Sequence, residues 1–71
     1  MSKYRLHTAR RVITRLARIY HTPLRAREVY ALADTLLTWK REYREAWLLA
    51  RYEDLTKYLG FADEDLAVVL L

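Results

Sequence analysis

Arginine side chains are concentrated at the start of the chain. Residues 1–27 contain eight basic residues and no acidic one, whereas residues 28–71 contain five basic and nine acidic residues. A planar guanidinium group forms paired hydrogen bonds with phosphate oxygens, and contact with several phosphates releases their counterions. The basic segment therefore predicts a phosphate-binding surface for nucleic acid. Its candidate residues are Arg5, Arg10, Arg11, Arg15, Arg18, Arg25 and Arg27.

Two other interpretations of this basic segment stay open. The chain has ten Arg against three Lys and lacks Asn, Gln and Cys, a composition typical of a thermophilic source or of GC-rich coding. The arginines would then only solvate a helix face. Alternatively, they pair with an acidic protein surface, including the acidic half of a second copy. Since Asn and Gln usually read adenine in the major groove, any binding to nucleic acid should depend mainly on phosphate contacts.

Large apolar side chains form a second group with functional potential. Trp39, Tyr43 and Trp47 are spaced i, i+4 and i+8, which places their rings on one side of a helix. Such aromatic residues either fill a core or a dimer interface, or anchor a protein partner. The end of the chain is apolar almost all round. The predicted interface residues are Trp39, Tyr43, Trp47, Leu66, Val69 and Leu70.

Residues suited to catalysis or metal binding are scarce. The chain has one Ser and no Cys, so no nucleophile–base arrangement is indicated. His7 and His21 lack the close spacing of a metal-binding pair, and no Gly-rich phosphate loop occurs. The acidic residues 63–65 are typical of a helix start. We therefore expect a non-enzymatic protein with no cofactor, no metal and no small-molecule substrate.

The arginines must be positioned by the first helix. The apolar residues Leu6, Ala9, Ile13, Leu16 and Tyr20 recur every three or four positions, which predicts one buried side of a helix from about Thr8 to Tyr20. Most of the arginines of this segment fall on the opposite side. Thr8 is expected to be the N-cap, since its hydroxyl can accept a backbone hydrogen bond.

Only Pro23 and Gly60 interrupt the rest of the chain. From Pro23 to Leu59 nothing breaks a helical pattern, which favours one long helix over a bend near Trp39–Arg41. Gly60 is expected to end it in left-handed geometry, and a short helix follows from Asp63 to Leu71. The prediction is an all-α fold in which residues 1–71 form one domain. Its three helices are short, long and short, with the long central helix in a hairpin against the first.

The length of the central helix predicts a partner. A 37-residue helix would span about 55 Å, and the two short helices could cover only part of it. Symmetric pairing would bury the remainder, so a homodimeric bundle is expected. No apolar run approaches the roughly 18 residues of a membrane span, and no signal peptide is indicated, so no membrane contact and a cytoplasmic location are expected.

Two functions follow from these patterns. The first is a small nucleic-acid-associated, DNA-binding protein, regulatory in role, that uses the arginines of the first helix for phosphate contacts. The alternative is a protein-binding modulator or adaptor of the compact type that phages and plasmids encode, acting through the aromatic residues or the apolar C-terminal helix. The two differ in salt dependence, because only phosphate binding should weaken steeply as salt rises.

Overall fold

The computed structural model describes residues 3–71, whose regular secondary structure is entirely helical. This confirms the predicted all-α class, but the described residues form five helices where three were expected. No strand occurs in this part of the chain, and its dimensions are 28 × 27 × 19 Å. The helices are α1 (Lys3–Ile19), α2 (Ala26–Thr38), α3 (Arg41–Ala50), α4 (Tyr52–Lys57) and α5 (Asp63–Leu70).

Helix α1 is the central element of the fold. It packs against α2, α4 and α5, while α3 packs against α4 and α5. Ala9, Ile13 and Leu16 are buried, which confirms the centre of the predicted apolar side, whereas Leu6 is half-buried and Tyr20, beyond the end of the helix, is 49% exposed. The helix nevertheless begins at Lys3 and not at Thr8. Thr8 is buried within it, and its hydroxyl oxygen has no hydrogen-bond partner among the described residues.

The prediction of one helix from Pro23 to Leu59 is wrong. The first helix in this segment is α2, which begins only at Ala26. It ends at Thr38, because Trp39 and Lys40 have extended backbone with ψ of 149° and 147°. The chain turns there and continues as α3. The physical reason is burial: the apolar residues of both halves enter one core, which a straight helix would prevent. These residues include Val29, Ala33, Leu36, Leu48 and Leu55.

The remainder of the predicted long helix has a second interruption. Arg51, with φ −108° and ψ 3°, separates α3 from the short helix α4. Gly60 follows with φ 68°, so the predicted left-handed end is confirmed. Helix α5 then begins after Ala62, whose backbone amide donates to the Asp65 carboxylate at 3.3 Å. An acidic side chain in this position also suits the positive end of the helix dipole.

One core joins all five helices of the described residues. The uncovered length of a straight central helix, on which the dimer prediction depended, is therefore absent from this chain. Several large apolar side chains remain exposed all the same, with Tyr43 at 70% and Leu49 at 72%. None of the described helices combines the length and the apolar character needed to cross a membrane.

Candidate phosphate-binding surface

Three arginines form a row along the exposed side of α1. Arg11, Arg15 and Arg18 are spaced by four and three residues and are all solvent-exposed. This arginine row lies on the side of α1 away from Ile13 and Leu16, because 3.6 residues complete one turn. Together with nearby side chains it lines a shallow depression of about 290 Å³. The lining residues are His7, Arg10, Arg11, Thr14, Arg15 and Arg18.

Arg11 lies beside the start of α5. Its guanidinium is 3.9 Å from the Asp65 carboxylate, and its side chain stays 44% exposed. The same guanidinium is 5.2 Å from the centre of the buried Phe61 ring. An exposed ion pair of this kind contributes little, about 0–1 kcal/mol. Arg11 therefore keeps most of its capacity to bind another anion.

Arg15 and Arg18 are not neutralised within the described chain. Arg15 Nη1 donates to the backbone carbonyl of Leu59 at 3.4 Å, at the limit of hydrogen-bond length. Arg18 makes no hydrogen bond or ion pair with the described residues, and neither arginine has a carboxylate of these residues within 4.0 Å. Two exposed cations on one helix face thus lack an acidic partner, which is the arrangement that favours an external anion.

Arg10 contacts helix α2. Its Cζ atom lies 3.9 Å from the centre of the Tyr30 ring of α2, a cation–π contact. The Arg10 Nε atom is buried without a hydrogen-bond partner in the described residues. The Tyr30 side chain itself is 45% exposed. A partly exposed aromatic ring therefore contacts Arg10, which lines the same depression as the arginine row.

The remaining predicted arginines occupy different places. Arg5 is half-buried and donates to the carbonyls of Val68 at 3.1 Å and Val69 at 3.4 Å. It thereby satisfies carbonyls in the last turn of α5 and joins that helix to α1. Arg25 and Arg27 are exposed at the start of α2, and neither lines the depression beside the row. The structure thus brings together four of the seven predicted arginines.

The three aromatic residues that were expected on one side of a helix do not belong to a single helix. Because the helix is interrupted at Trp39, the Trp39 and Trp47 rings meet edge to face, with centres 6.4 Å apart and planes at 69°. Tyr43 makes no ring contact among the described residues and is 70% exposed. Trp39, Tyr43, Ala46 and Trp47 line a depression of about 530 Å³ with no charged side chain. These four residues are termed the aromatic patch.

The predicted interface residues of the C-terminal helix lie mainly in the core. Leu66 is 8% exposed and Val69 is 0% exposed, so both side chains pack inside their own chain and are absent from its surface. Leu70 is half-buried and lines a groove of about 320 Å³ between α3 and α5, together with the exposed Leu49. Burial follows because α5 fills the space between α1 and α3.

One hydrogen bond joins two residues that are far apart in the sequence, and the sequence analysis does not predict it. The Tyr20 hydroxyl donates a hydrogen bond to the Asp54 carboxylate, 34 residues away. This hydrogen bond and partial desolvation raise the pKa of Tyr20, and the nearby Arg51 guanidinium opposes them. No local pattern signals such a pair, because only the packing of α1 against α4 brings the two residues together.

Metal chemistry finds no support in the described residues. No group of three or more His, Cys, Asp or Glu side chains is placed to hold an ion there. The acidic residues 63–65 lie in the first turn of α5.

Comparisons of the chain with protein-family models, with curated proteins and with solved structures each found no match. Functional inference therefore depends on the surface chemistry described above.

Proposed function

We propose that this chain is a small, non-enzymatic protein that binds nucleic acid in a regulatory role through phosphate contacts from the arginine row. The observation that carries the proposal is the exposed, unneutralised state of Arg15 and Arg18 beside Arg11. From Arg11 to Arg18 the helix rises by about 10 Å, enough for successive phosphates of one strand to be contacted together. Guanidinium groups suit this task because they match phosphate oxygens bidentately.

A homodimer is part of the proposal. The aromatic patch contains no charged side chain, whereas the arginine row would repel a second copy. The two surfaces also involve different sides of α1, since Ile13, Leu16 and Tyr20 line the groove that contains Trp39 and Trp47. Pairing through the aromatic patch would leave both arginine rows exposed and double the number of phosphate contacts.

A protein-binding modulator or adaptor is the second candidate function. It is favoured by the exposure of large aromatic side chains, with Tyr43 at 70% and Trp39 at 38%. Tyr and Trp are the residues that most often anchor protein interfaces. A protein partner bound to the aromatic patch would compete with formation of the homodimer. The arginine row would then have no role in binding.

Fluorescence anisotropy of short labelled nucleic acids tests the proposal. The dimer would make about six arginine–phosphate contacts, three from each row, which predicts an affinity loss of roughly 300-fold for a single strand and roughly 2,000-fold for a duplex between about 50 and 200 mM salt. In the double variant R15E/R18E, binding at low salt should be lost, because two cations become anions. The matched control is K40E/R41E, which changes the net charge equally at the start of α3, away from the depression.

The outcomes separate the two candidate functions. Loss of binding in R15E/R18E, with K40E/R41E retaining most of it, supports phosphate binding by the arginine row. Equal losses in both double variants would mean that only net charge matters, and would overturn the assignment to α1. Absence of binding by the wild-type chain at low salt would reject nucleic-acid binding in favour of the protein-binding candidate.

A further inference from the structure

The arginine row is flanked on both sides by neighbouring elements. On one side Arg10 contacts Tyr30 of α2, at 3.9 Å from the ring centre. On the other side Arg11 lies 3.9 Å from Asp65 and 5.2 Å from the Phe61 ring. The row therefore has α2 on one side and the start of α5 on the other, while the shallow depression itself is lined by side chains of α1 alone.

This position matters for duplex recognition. A helix with its side chains is about 10–12 Å across, and the major groove is only about 12 Å wide. A helix that reads the groove must therefore enter it without adjacent elements at the same height. Helix α1 packs against α2 and α5, which contact it on the two sides of the row. The chain also lacks Asn and Gln, the usual readers of adenine.

Two exposed tyrosines lie beside the row. Tyr30 is 45% exposed, with the Arg10 guanidinium over one face of its ring. Tyr4 is 61% exposed and precedes Arg11 by seven residues, which places it on the same side of α1 after two helical turns. The surface thus combines a line of cations with an aromatic ring at its end and another at its flank.

Only unpaired bases can use such rings. In a duplex each base is stacked between its neighbours, so its faces are covered. In a single strand the faces become available, and they stack on aromatic side chains whatever the base. A charged groove with adjacent aromatic rings is the usual composition of single-strand binding surfaces. The cations would follow the backbone while the rings hold the bases.

We infer that the nucleic acid bound by the arginine row is single-stranded, with unpaired bases stacked on Tyr30 and Tyr4. This inference rests on the proposed function, and it adds the structural class of the ligand. The phosphates lie along Arg11, Arg15 and Arg18, and Arg10 keeps the Tyr30 ring in place from its other side. Sequence preference should be weak, because stacking is tolerant of base identity.

Three labelled probes of equal length test the inference by anisotropy at low salt: a single strand of mixed sequence, the corresponding duplex, and an abasic strand with the same number of phosphates. The wild-type chain should bind the single strand roughly tenfold or more tightly than the abasic strand, the loss expected for removing one or more base stacks. The single strand should also bind more tightly than the duplex, although the duplex carries twice the phosphates.

Tyrosine variants identify the stacking rings. Tyr30→Ala should reduce affinity for the single strand about tenfold and leave affinity for the abasic strand unchanged. Tyr30→Phe should restore binding, because the ring is kept and only the hydroxyl is removed. Tyr4→Ala should lower single-strand affinity in the same direction. The control is Tyr43→Ala, since Tyr43 is exposed on α3 and belongs to the aromatic patch.

The results distinguish this inference from the proposed function. Equal affinity for the base-containing and abasic strands, or tighter binding to the duplex, would overturn single-strand recognition while leaving phosphate binding intact. An unchanged Tyr30→Ala variant whose circular dichroism matches wild type would reject Tyr30 as a stacking ring. If no probe binds at low salt, both the inference and the proposed function fail.

Discussion

Arg44 of α3 donates a hydrogen bond from Nη1 to the Leu37 carbonyl oxygen of α2 at 3.0 Å. The Arg44 side chain is only 8% exposed, and its Nε atom has no hydrogen-bond partner among the described residues. The Leu37 carbonyl belongs to the last turn of α2, where carbonyls lack partners within the helix. A cation from α3 thus satisfies the end of α2 and stabilises the turn at Trp39–Lys40.

Replacing Arg44 is therefore expected to destabilise the fold. Arg44→Ala leaves the Leu37 carbonyl without its partner and creates a cavity, at a cost of about 2–3 kcal/mol in the free energy of unfolding. Urea denaturation followed by circular dichroism measures this loss. Arg41→Ala is the control, because Arg41 is exposed and pairs only with Glu45 at 3.3 Å. An Arg44→Ala midpoint equal to wild type would contradict the role of this contact.

The same relationship explains which part of the fold the sequence could predict. The amphipathic side of α1 and the left-handed Gly60 follow from local patterns and are present in the structure. The turn at Trp39–Lys40 contains neither Gly nor Pro, and no strong helix breaker flanks it. Burial of the two apolar halves in one core overrides that preference. Arg44 then satisfies the helix end, a contact visible only in three dimensions.

The candidate site was predictable to a similar degree. The positions of Arg11, Arg15 and Arg18 on one exposed face follow from helical spacing alone. The roles of Arg5 and Arg10 do not, because each contacts a helix that is distant in sequence. For the same reason the sequence could not show that Trp39 and Trp47 meet across a turn. Spacing assigns a face, whereas tertiary packing decides which neighbours that face meets.

Gly60 is expected to resist substitution by residues with a side chain. Its φ of 68° is left-handed, and a Cβ added there would meet no atom within 4 Å. Backbone strain alone should therefore destabilise Gly60→Ala by about 1 kcal/mol. Gly60→Asn should lose less, because Asn tolerates the left-handed region. Thermal denaturation of both variants measures the difference, and equal stability of Gly60→Ala and wild type would show that the backbone adjusts without cost.

The Tyr20–Asp54 hydrogen bond predicts a loss of stability in alkaline solution. Because the hydrogen bond raises the pKa of Tyr20 in the folded chain above its ordinary value of 10.0, the protonated hydroxyl is favoured by folding. This contribution is complete below pH 10 and disappears as pH rises through the folded-state pKa. Wild type should therefore lose more stability than Tyr20→Phe when the pH is raised across this range.

Thermal unfolding at a series of alkaline pH values measures this difference. Tyr43→Phe is the control, since the Tyr43 hydroxyl makes no hydrogen bond among the described residues and should follow wild type. Parallel stability curves for wild type and Tyr20→Phe would show that the contact with Asp54 does not contribute in solution. The expected result is convergence of the two curves at high pH.

The aromatic patch is expected to hold two copies of the chain together. Each chain has a mass of 8.6 kDa, so sedimentation velocity should show a species of twice this mass in the wild-type protein. Ala46→Glu places a charge in an otherwise uncharged depression and should give the monomer, because an unpaired carboxylate is costly to bury. Ala67→Glu is the matched control. It introduces the same side chain at an exposed alanine in the groove that contains Leu49 and Leu70.

A monomer produced by Ala67→Glu and not by Ala46→Glu would assign the interface to the groove that contains Leu49 and Leu70. A monomeric wild type would reject the homodimer.

Dimerisation through the aromatic patch has one further consequence for binding. The Ala46→Glu monomer presents one arginine row and makes half the phosphate contacts of the dimer. The slope of its affinity against salt concentration should therefore be about half that of wild type, since the slope is proportional to the number of phosphates neutralised.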